Sequence, residues 1–449
     1  MRIAIVGGGA TGALAALHIA RRIGDGRADI VLIEPSDAIG RGVAYSTPDP
    51  RHLLNVRVSN MSAFADQPNH LHEWLKRRGH PDSPSYPTPF CFIPRATYGD
   101  YVSDLVREAL SSGAVRHVRD ACIDLTEAPD AATLHLSSGR TIEVARAVLA
   151  TGHDVKPSLK GIPAEQPWTE GSLDGLASDA PILIIGSGLT MVDMTLSLDR
   201  RRYQGPITVV SRRGLLPSAH RPAMQSCLAE QEVPFGAELS ALLAWMRGLA
   251  TRLTAEGADW RSAFDALRPH TQRLWRSMTL DQKRRFCRHA RVYWDIHRHR
   301  MAPEVERHMV ALRSSGRLKL IAGRVLGAEQ RDDGIHVSIL RRGFGAAEDH
   351  RFARVIDCTG LPDNPKQSSN SLIRALFARG LARADPLGIG LDVAENYALI
   401  DAEGRPSHRV QVIGPLARAA FWECIAIPDI RLQCEEIADA FVAELAESV

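Results

Sequence analysis

The chain opens with Ile3-Ala4-Ile5-Val6 running straight into Gly7-Gly8-Gly9-Ala10-Thr11-Gly12, and this junction constrains the fold more than any other feature. Four apolar, mostly β-branched residues read as a strand buried on both faces. The glycines at 7, 9 and 12 match G-x-G-x-x-G, and Ala13 to Arg22 continues as a helix. In such a turn the first glycine permits the sharp bend and the second lets a pyrophosphate approach the backbone. The third lets helix and strand pack closely. The helix start then offers unpaired N–H groups and a positive dipole end to phosphate. A second apolar run, Ile30 to Ile33, ends at Glu34, where an acid suits a ribose 2′-hydroxyl. Gly7, Gly8, Gly9, Ala10, Thr11, Gly12 and Glu34 are therefore the first candidate nucleotide-binding residues.

The unit recurs. Ile182 to Ile185 leads into Gly186-Ser187-Gly188-Leu189-Thr190, and Met191 stands where the third glycine would be. The next apolar run, Ile207 to Val210, ends not on an acid but on Ser211-Arg212-Arg213. Guanidinium groups there suit a 2′-phosphate through charge-assisted hydrogen bonds, the alternative being a solvated strand end. Each loop is followed by a β-rich stretch and then by an apolar strand closing on Thr-Gly, at Thr151-Gly152 and Thr359-Gly360. The expected fold class is α/β, with two Rossmann-like dinucleotide-binding domains, for FAD and NADPH, and a helical insertion.

At roughly 150 residues per domain, 449 residues suggest about three units. The expected divisions are 1–157 (FAD domain, first part), 178–236 (NAD(P)H domain, first part), 237–313 (helical insertion), 314–350 (NAD(P)H domain, second part) and 351–449 (FAD domain, second part). In 237–313, Leu242, Trp245, Met246, Leu249 and Leu253 recur at helical spacing. That segment holds 15 Lys or Arg against 8 Asp or Glu, or +7, within a chain whose net charge is only +3. The charge balance gives no ground for a nucleic-acid or membrane partner and favours a small anionic substrate.

Seven scattered cysteines form no CxxC pair, which argues against a disulfide framework, a zinc cluster and a dithiol reductase. The uncharged run Ile3 to Ala20 after Arg2 superficially looks like a signal peptide. Its glycines, His18 and the following Arg21-Arg22 speak against that, and a cytoplasmic protein is expected.

The motifs GRGVAY (40–45), HLLNV (52–56), IPRATYGDY (93–101), GSGLTMVD (186–193), WDIHRHR (294–300) and FWECIAIPDIR (421–431) extend over nearly the whole chain. With them the chain resembles a bacterial family of FAD/NAD(P)-binding oxidoreductases among the two-dinucleotide-binding-domain flavoproteins, which include flavin monooxygenases and N-hydroxylases. The resemblance implies that 40–45, including Tyr45, and Asn55-Val56 border a flavin. It also implies that a helix opening at Pro428-Asp429-Ile430 points its N-terminus at the flavin ring. The chain departs from relatives at Pro415, where an acid often holds the ribityl chain. It departs also at 159–168, which lacks the histidine of the Baeyer-Villiger signature.

For His297-Arg298-His299-Arg300 a metal site, a solvated basic face and an anion site compete, with Arg298 and Arg300 as substrate candidates. Trp422 and Glu423 read either as core and surface or as a substrate-pocket wall. The expected activity is NADPH-dependent monooxygenation by FAD, with O2 and a small molecule as partners and room for a homo-oligomer. The alternative is an NADPH-dependent flavin reductase or electron-transfer flavoprotein. No catalytic side chain is assigned, since a flavin carries such chemistry.

Overall fold

The computed structural model describes residues 1–24, 26–78, 88–152, 159, 161–169, 171–222, 226–360 and 364–447. Lys160 and 153–157, part of the stretches considered above, lie outside them. Strand β1 (Arg2–Val6), helix α1 (Ala10–Ile23) and strand β2 (Asp29–Ile33) form the opening unit. β1 is parallel to β2, and after Arg2 its residues are buried, as a doubly covered strand requires. Next come α2 (Gly42–Tyr45), α3 (His70–Arg77), α4 (Arg95–Ser111), β3 (Arg116–Val118), β4 (Cys122–Glu127), β5 (Ala132–Leu136), β6 (Thr141–Val144) and β7 (Arg146–Leu149). β7 lies parallel to β1 on the side away from β2, while β4, β5 and β6 make a separate antiparallel sheet.

The second unit starts with β8 (Ile182–Ile185), α5 (Leu189–Arg200) and β9 (Ile207–Ser211). Helices α6 (Leu239–Ala255), α7 (Arg261–Leu267), α8 (Thr271–Ser277), α9 (Leu280–Arg285), α10 (Arg291–Arg298) and α11 (Pro303–Ser314) follow. Then come β10 (Leu318–Arg331), β11 (Gly334–Arg341), β12 (Ala347–Phe352) and β13 (Arg354–Asp357). The chain ends with α12 (Ser371–Ala378), β14 (Ala398–Ile400), β15 (Pro406–Val412) and α13 (Ile427–Glu447). Two six-stranded sheets result, ordered β14-β15-β7-β1-β2-β3 and β12-β11-β10-β9-β8-β13. The α/β class is as expected. The core around β1 also contains Ile413, Cys424, Ile430 and Phe441, so the two ends of the chain share one interior.

Two expected boundaries need correction. The division at 350/351 is wrong, because β12 and β13 complete the second sheet and β13 pairs in parallel with β8 as β7 does with β1. The second unit therefore runs to the Thr359-Gly360 turn. The insertion also ends sooner than 313. Val305, Met309 and Leu312 of α11 pack into the second unit's core with Met191 and Ile184, and Thr195 Oγ1 lies 3.1 Å from Met309 Sδ. The reason is topological: β9 and β10 are parallel neighbours, parallel strands need a crossover, and α11 supplies it.

Candidate functional site

At the first loop the three glycines have separate reasons. Gly7 has φ +103° and lies against the Ala150 carbonyl, at the end of β7. A Cβ on Gly12 would stand 1.8 Å from the Gly7 oxygen, so helix and strand are in contact there. Gly9 caps α1 with no side-chain bond, the first turn holds no acid, and Ala13 N–H is the first to close on it, at 2.9 Å. The N–H groups of Ala10, Thr11 and Gly12 consequently have no intrahelical acceptor. Glu34 sits beside them, its Oε2 accepting from Gly8 N–H at 2.7 Å and its Oε1 from Ser36 N–H at 3.0 Å.

The rim of this loop comes from distant segments. Gly42 approaches Gly9, Gly40 N–H donates to the Gly8 carbonyl at 2.8 Å, and the Tyr45 ring packs at a tilt against Tyr98, centroids 4.8 Å apart. The Tyr98 hydroxyl is buried with no hydrogen-bond partner, and burial pushes its pKa well above the ordinary value. Gly414, at φ +70°, lies against Thr11 and donates to Gln433 Oε1 at 3.0 Å. Thr151-Gly152 follows the end of β7, with Gly152 at φ +71°.

The second loop repeats the arrangement more loosely. Gly186 has φ +102° and abuts the Cys358 carbonyl, Gly188 caps α5 with no side-chain bond, and no acid stands in the first turn. Met191, fully buried, fills the position of the missing glycine. Ser187 Oγ donates to the Leu215 carbonyl at 2.6 Å and also meets Ser211 Oγ at 2.8 Å, tying the loop to the end of β9. Leu189 and Thr190 open α5. Arg212 is exposed at that strand end, and Arg213 lies over the Tyr293 ring at 5.5 Å. Thr359 bonds its own turn through Asp357 Oδ1, with Gly360 beyond it at φ +99°.

Two meetings of the sequence motifs were not visible along the chain. The segments 47–57 and 92–95 clasp α5: Arg95 Nη2 reaches Asp193 Oδ2 at 2.9 Å, and His52 Nε2 meets the Asp193 carbonyl and Ser197 Oγ, each at 2.9 Å. The Asn55 carbonyl accepts from His220 Nε2 at 3.0 Å, and Val56 packs against the first unit's core. The other meeting joins 294–300 to 421–431. Glu423, a non-glycine residue at φ +73°, is buried and accepts from Trp294 Nε1 at 2.7 Å. Arg298 Nε stands 3.1 Å and His299 Nε2 3.4 Å from the same carboxylate. Burial opposes its ionisation, but His299, Arg298 and Trp294 outweigh burial and hold the carboxyl well below the usual range. Trp422 stacks on Trp275 at 4.6 Å.

These contacts correct one of the substrate candidates. Arg300, 2% exposed, is bound to Asp265 at 2.5 Å and to the His297 carbonyl at 2.8 Å, leaving it no approach to an anion. Arg298 pairs with Glu423 and Trp422 stacks on Trp275, contacts compatible with either core packing or a pocket wall. The expected flavin contacts of α13 also change. Asp429 pairs with Arg268 Nη2 at 3.2 Å. The N–H groups of Asp429 and Ile430 close on the Ala426 carbonyl at 3.0 and 2.9 Å. Pro428 has no N–H, so none of these three residues offers a flavin a free N–H, and they can act on it only through the helix dipole. Sequence reasoning missed His220 and gave His52, Arg95 and Trp294 no role within their motifs, because their partners are remote in the chain.

This architecture, two Rossmann-type units with the second inserted into the first, is the fold of the two-dinucleotide-binding-domain flavoproteins. Residues 4–154 match a family model described as FAD-NAD(P)-binding. Among solved structures, the L-lysine 6-monooxygenase of Pseudomonas syringae superposes with TM-score 0.68 at 14% identity, covering 99% of both chains. The ornithine N-hydroxylase of Kutzneria sp. 744, solved with reduced FAD, NADP+ and L-ornithine, gives TM-score 0.65 at 16% identity over 99% of both chains. The thioredoxin reductase of Lactococcus lactis gives 0.54 at 12% identity, covering 100% of this chain and 99% of that one. These likenesses are of fold. No curated protein matches the chain. The first unit fits a dinucleotide on its own geometry: an uncapped, acid-free helix start, glycines where Cβ atoms would collide, a carboxylate at the ribose position and an orphaned buried hydroxyl beside Tyr45.

Proposed function

We propose that the chain is an FAD-dependent, NADPH-using monooxygenase acting on a small molecule. The observation that carries this reading is the pairing of two uncapped helix starts, one beside Glu34 and one beside Arg212, in a fold shared end to end with lysine and ornithine hydroxylases. Bound FAD would accept two electrons from NADPH and allow one atom of O2 to enter a substrate while the other leaves as water. The N–H groups of Ala10, Thr11 and Gly12 would hold the FAD pyrophosphate, and Glu34 the ribose. The start of α5 would hold the NADPH pyrophosphate, and Arg212 the 2′-phosphate. The insertion, docked by Trp275, Trp294 and Arg298 onto 419–429, would roof the site and exclude water.

A disulfide reductase is the less supported alternative. Of the seven thiols, those of Cys122, Cys358, Cys424 and Cys434 are buried, and burial pushes their pKa values up. A redox dithiol needs the reverse.

The test is anaerobic reduction of the FAD-loaded protein by NADPH or NADH, followed by mixing with 18O2 and a panel of amines including L-lysine and L-ornithine. NADPH should bleach the flavin, and label should appear in a product. Arg212→Ala should raise the Kd for NADPH roughly tenfold or more, the loss of a charge-assisted bond, and leave NADH within about twofold. Flavin that NADPH does not reduce sinks the reading.

A further inference from the structure

Three of the motifs, 52–56, 93–101 and 186–193, converge on one contact whose partners come from both dinucleotide units. Asp193 lies one turn inside α5, the helix whose uncapped start faces the second nucleotide position. Its carboxylate is buried, and its charge is met by Arg95, the first residue of α4. α4 in turn builds the rim of the first site. Gly99 lies against the Tyr45 carbonyl with no room for a Cβ, and Ser103 meets Gly40 the same way and donates to the Ile39 carbonyl at 2.6 Å. From the start of α5 to the 40–45 segment there are therefore only two steps, an ion pair and one helix.

The rest of the clasp makes this path stiff. Arg51 Nη1 holds Asp199 at 2.8 Å further along α5, and His52 holds the Asp193 carbonyl and Ser197. Leu53 and Phe92, both from the first unit's stretch of chain, pack into the second unit's core. Packed, hydrogen-bonded elements of this kind shift as bodies rather than deform continuously. A dianionic phosphate group seated at the start of α5 fixes that helix, and anything rigidly attached to it is fixed too.

We propose that Arg95 and Asp193 are positioning residues that couple the two nucleotide sites, so that NADP+ bound at α5 tightens FAD at the 7–12 and 40–45 rim, and the reverse. This rests on the FAD and NADPH assignments above. Coupling between sites is reciprocal, so each ligand must change the other's affinity by the same factor. The role assigned is one of positioning, because Arg95 Nη2 is turned to Asp193 and both side chains are largely buried at the seam between the units.

The experiment measures the Kd of FAD for apoprotein with and without saturating NADP+, and the Kd of NADP+ with and without FAD. For the native chain both ratios should be equal and at least about fivefold. Arg95→Met with Asp193→Leu replaces the buried pair by apolar groups of similar size, a change that is often neutral for folding. In that double variant each ligand alone should bind within about threefold of native, while the ratio falls to one. Asp193→Asn, which keeps shape and removes charge, should give an intermediate ratio, and circular dichroism verifies that each variant is folded. A native ratio of one, or an unchanged ratio in both folded variants, overturns the proposal even though both ligands bind. Failure of the native chain to bind FAD at all instead overturns the cofactor reading, and the coupling falls with it.

Discussion

At the scale of single residues, the second and third positions of these glycine loops make different demands on the same residue type. Gly12 is needed for packing, since a methyl there meets the Gly7 oxygen, whereas nothing lies within 4 Å of a Cβ on Gly188. Gly12→Ala should accordingly cost about 3 kcal/mol or more by overpacking and abolish FAD retention. Gly188→Ala, at an ordinary φ of −82°, should leave stability within about 0.5 kcal/mol. It should nevertheless raise the Kd for NADPH roughly tenfold, because the methyl occupies the pyrophosphate's approach. Urea titrations and NADPH binding measure both; equal destabilisation by the two changes contradicts this division. Such roles were legible in the sequence because each depends on residues within a few positions of the loop. Arg300 shows the opposite case: its charge suggested an anion site, and only its burial against Asp265 revealed a structural part.

At the scale of elements, the helical insertion and the approach to α13 are held together at Glu423. A non-glycine residue at positive φ is strained, and here three partners on α10 and its C-terminal end keep it in place. Glu423→Gln leaves Arg298, mostly buried, without its nearest counter-charge, which should destabilise the chain by about 3 kcal/mol. Limited proteolysis should then cut first within 239–298, with the first unit persisting; an unchanged cleavage pattern and unfolding midpoint would exclude the latch. The carboxyl is held well below its usual range, so its stabilisation is complete above roughly pH 4.5 and fades only as pH falls further. The helical character of the insertion was readable from its apolar spacing. Its true end was not, because α11 has the same periodicity as its neighbours and is distinguished only by the core it joins.

For the molecule as a whole, the seam between the units carries its own pH response. His220, from the second unit, donates to the Asn55 carbonyl and lies 5.0 Å from the Phe92 ring. Burial, with smaller contributions from Arg300 and Arg57, pushes its pKa down to about 4 against the opposing bond to Asn55. The unfolded chain takes up a proton near pH 6.5, while the folded one refuses it until about 4. This group's contribution is therefore whole above about pH 6.5, is lost as pH falls from there to about 4, and reaches roughly 3 kcal/mol at most. Urea midpoints of the native chain and His220→Gln between about pH 4 and 7.5 should converge at the acid end; parallel curves would show that His220 does not titrate in this way.

By itself the sequence determined what local pattern can encode: apolar strands, the bend and clearance of each glycine loop, an acid after one second strand and arginines after the other. These follow from neighbours two to five positions apart, and the α/β class with two nucleotide units follows from them. The tertiary structure decided which unit owns β13 and α11, and which charges meet. Trp294 and Glu423 are 129 positions apart, and Arg95 finds Asp193 across the seam between the units. A buried carboxylate keeps its charge only beside a compensating group, and the docking of distant segments decides which group that is.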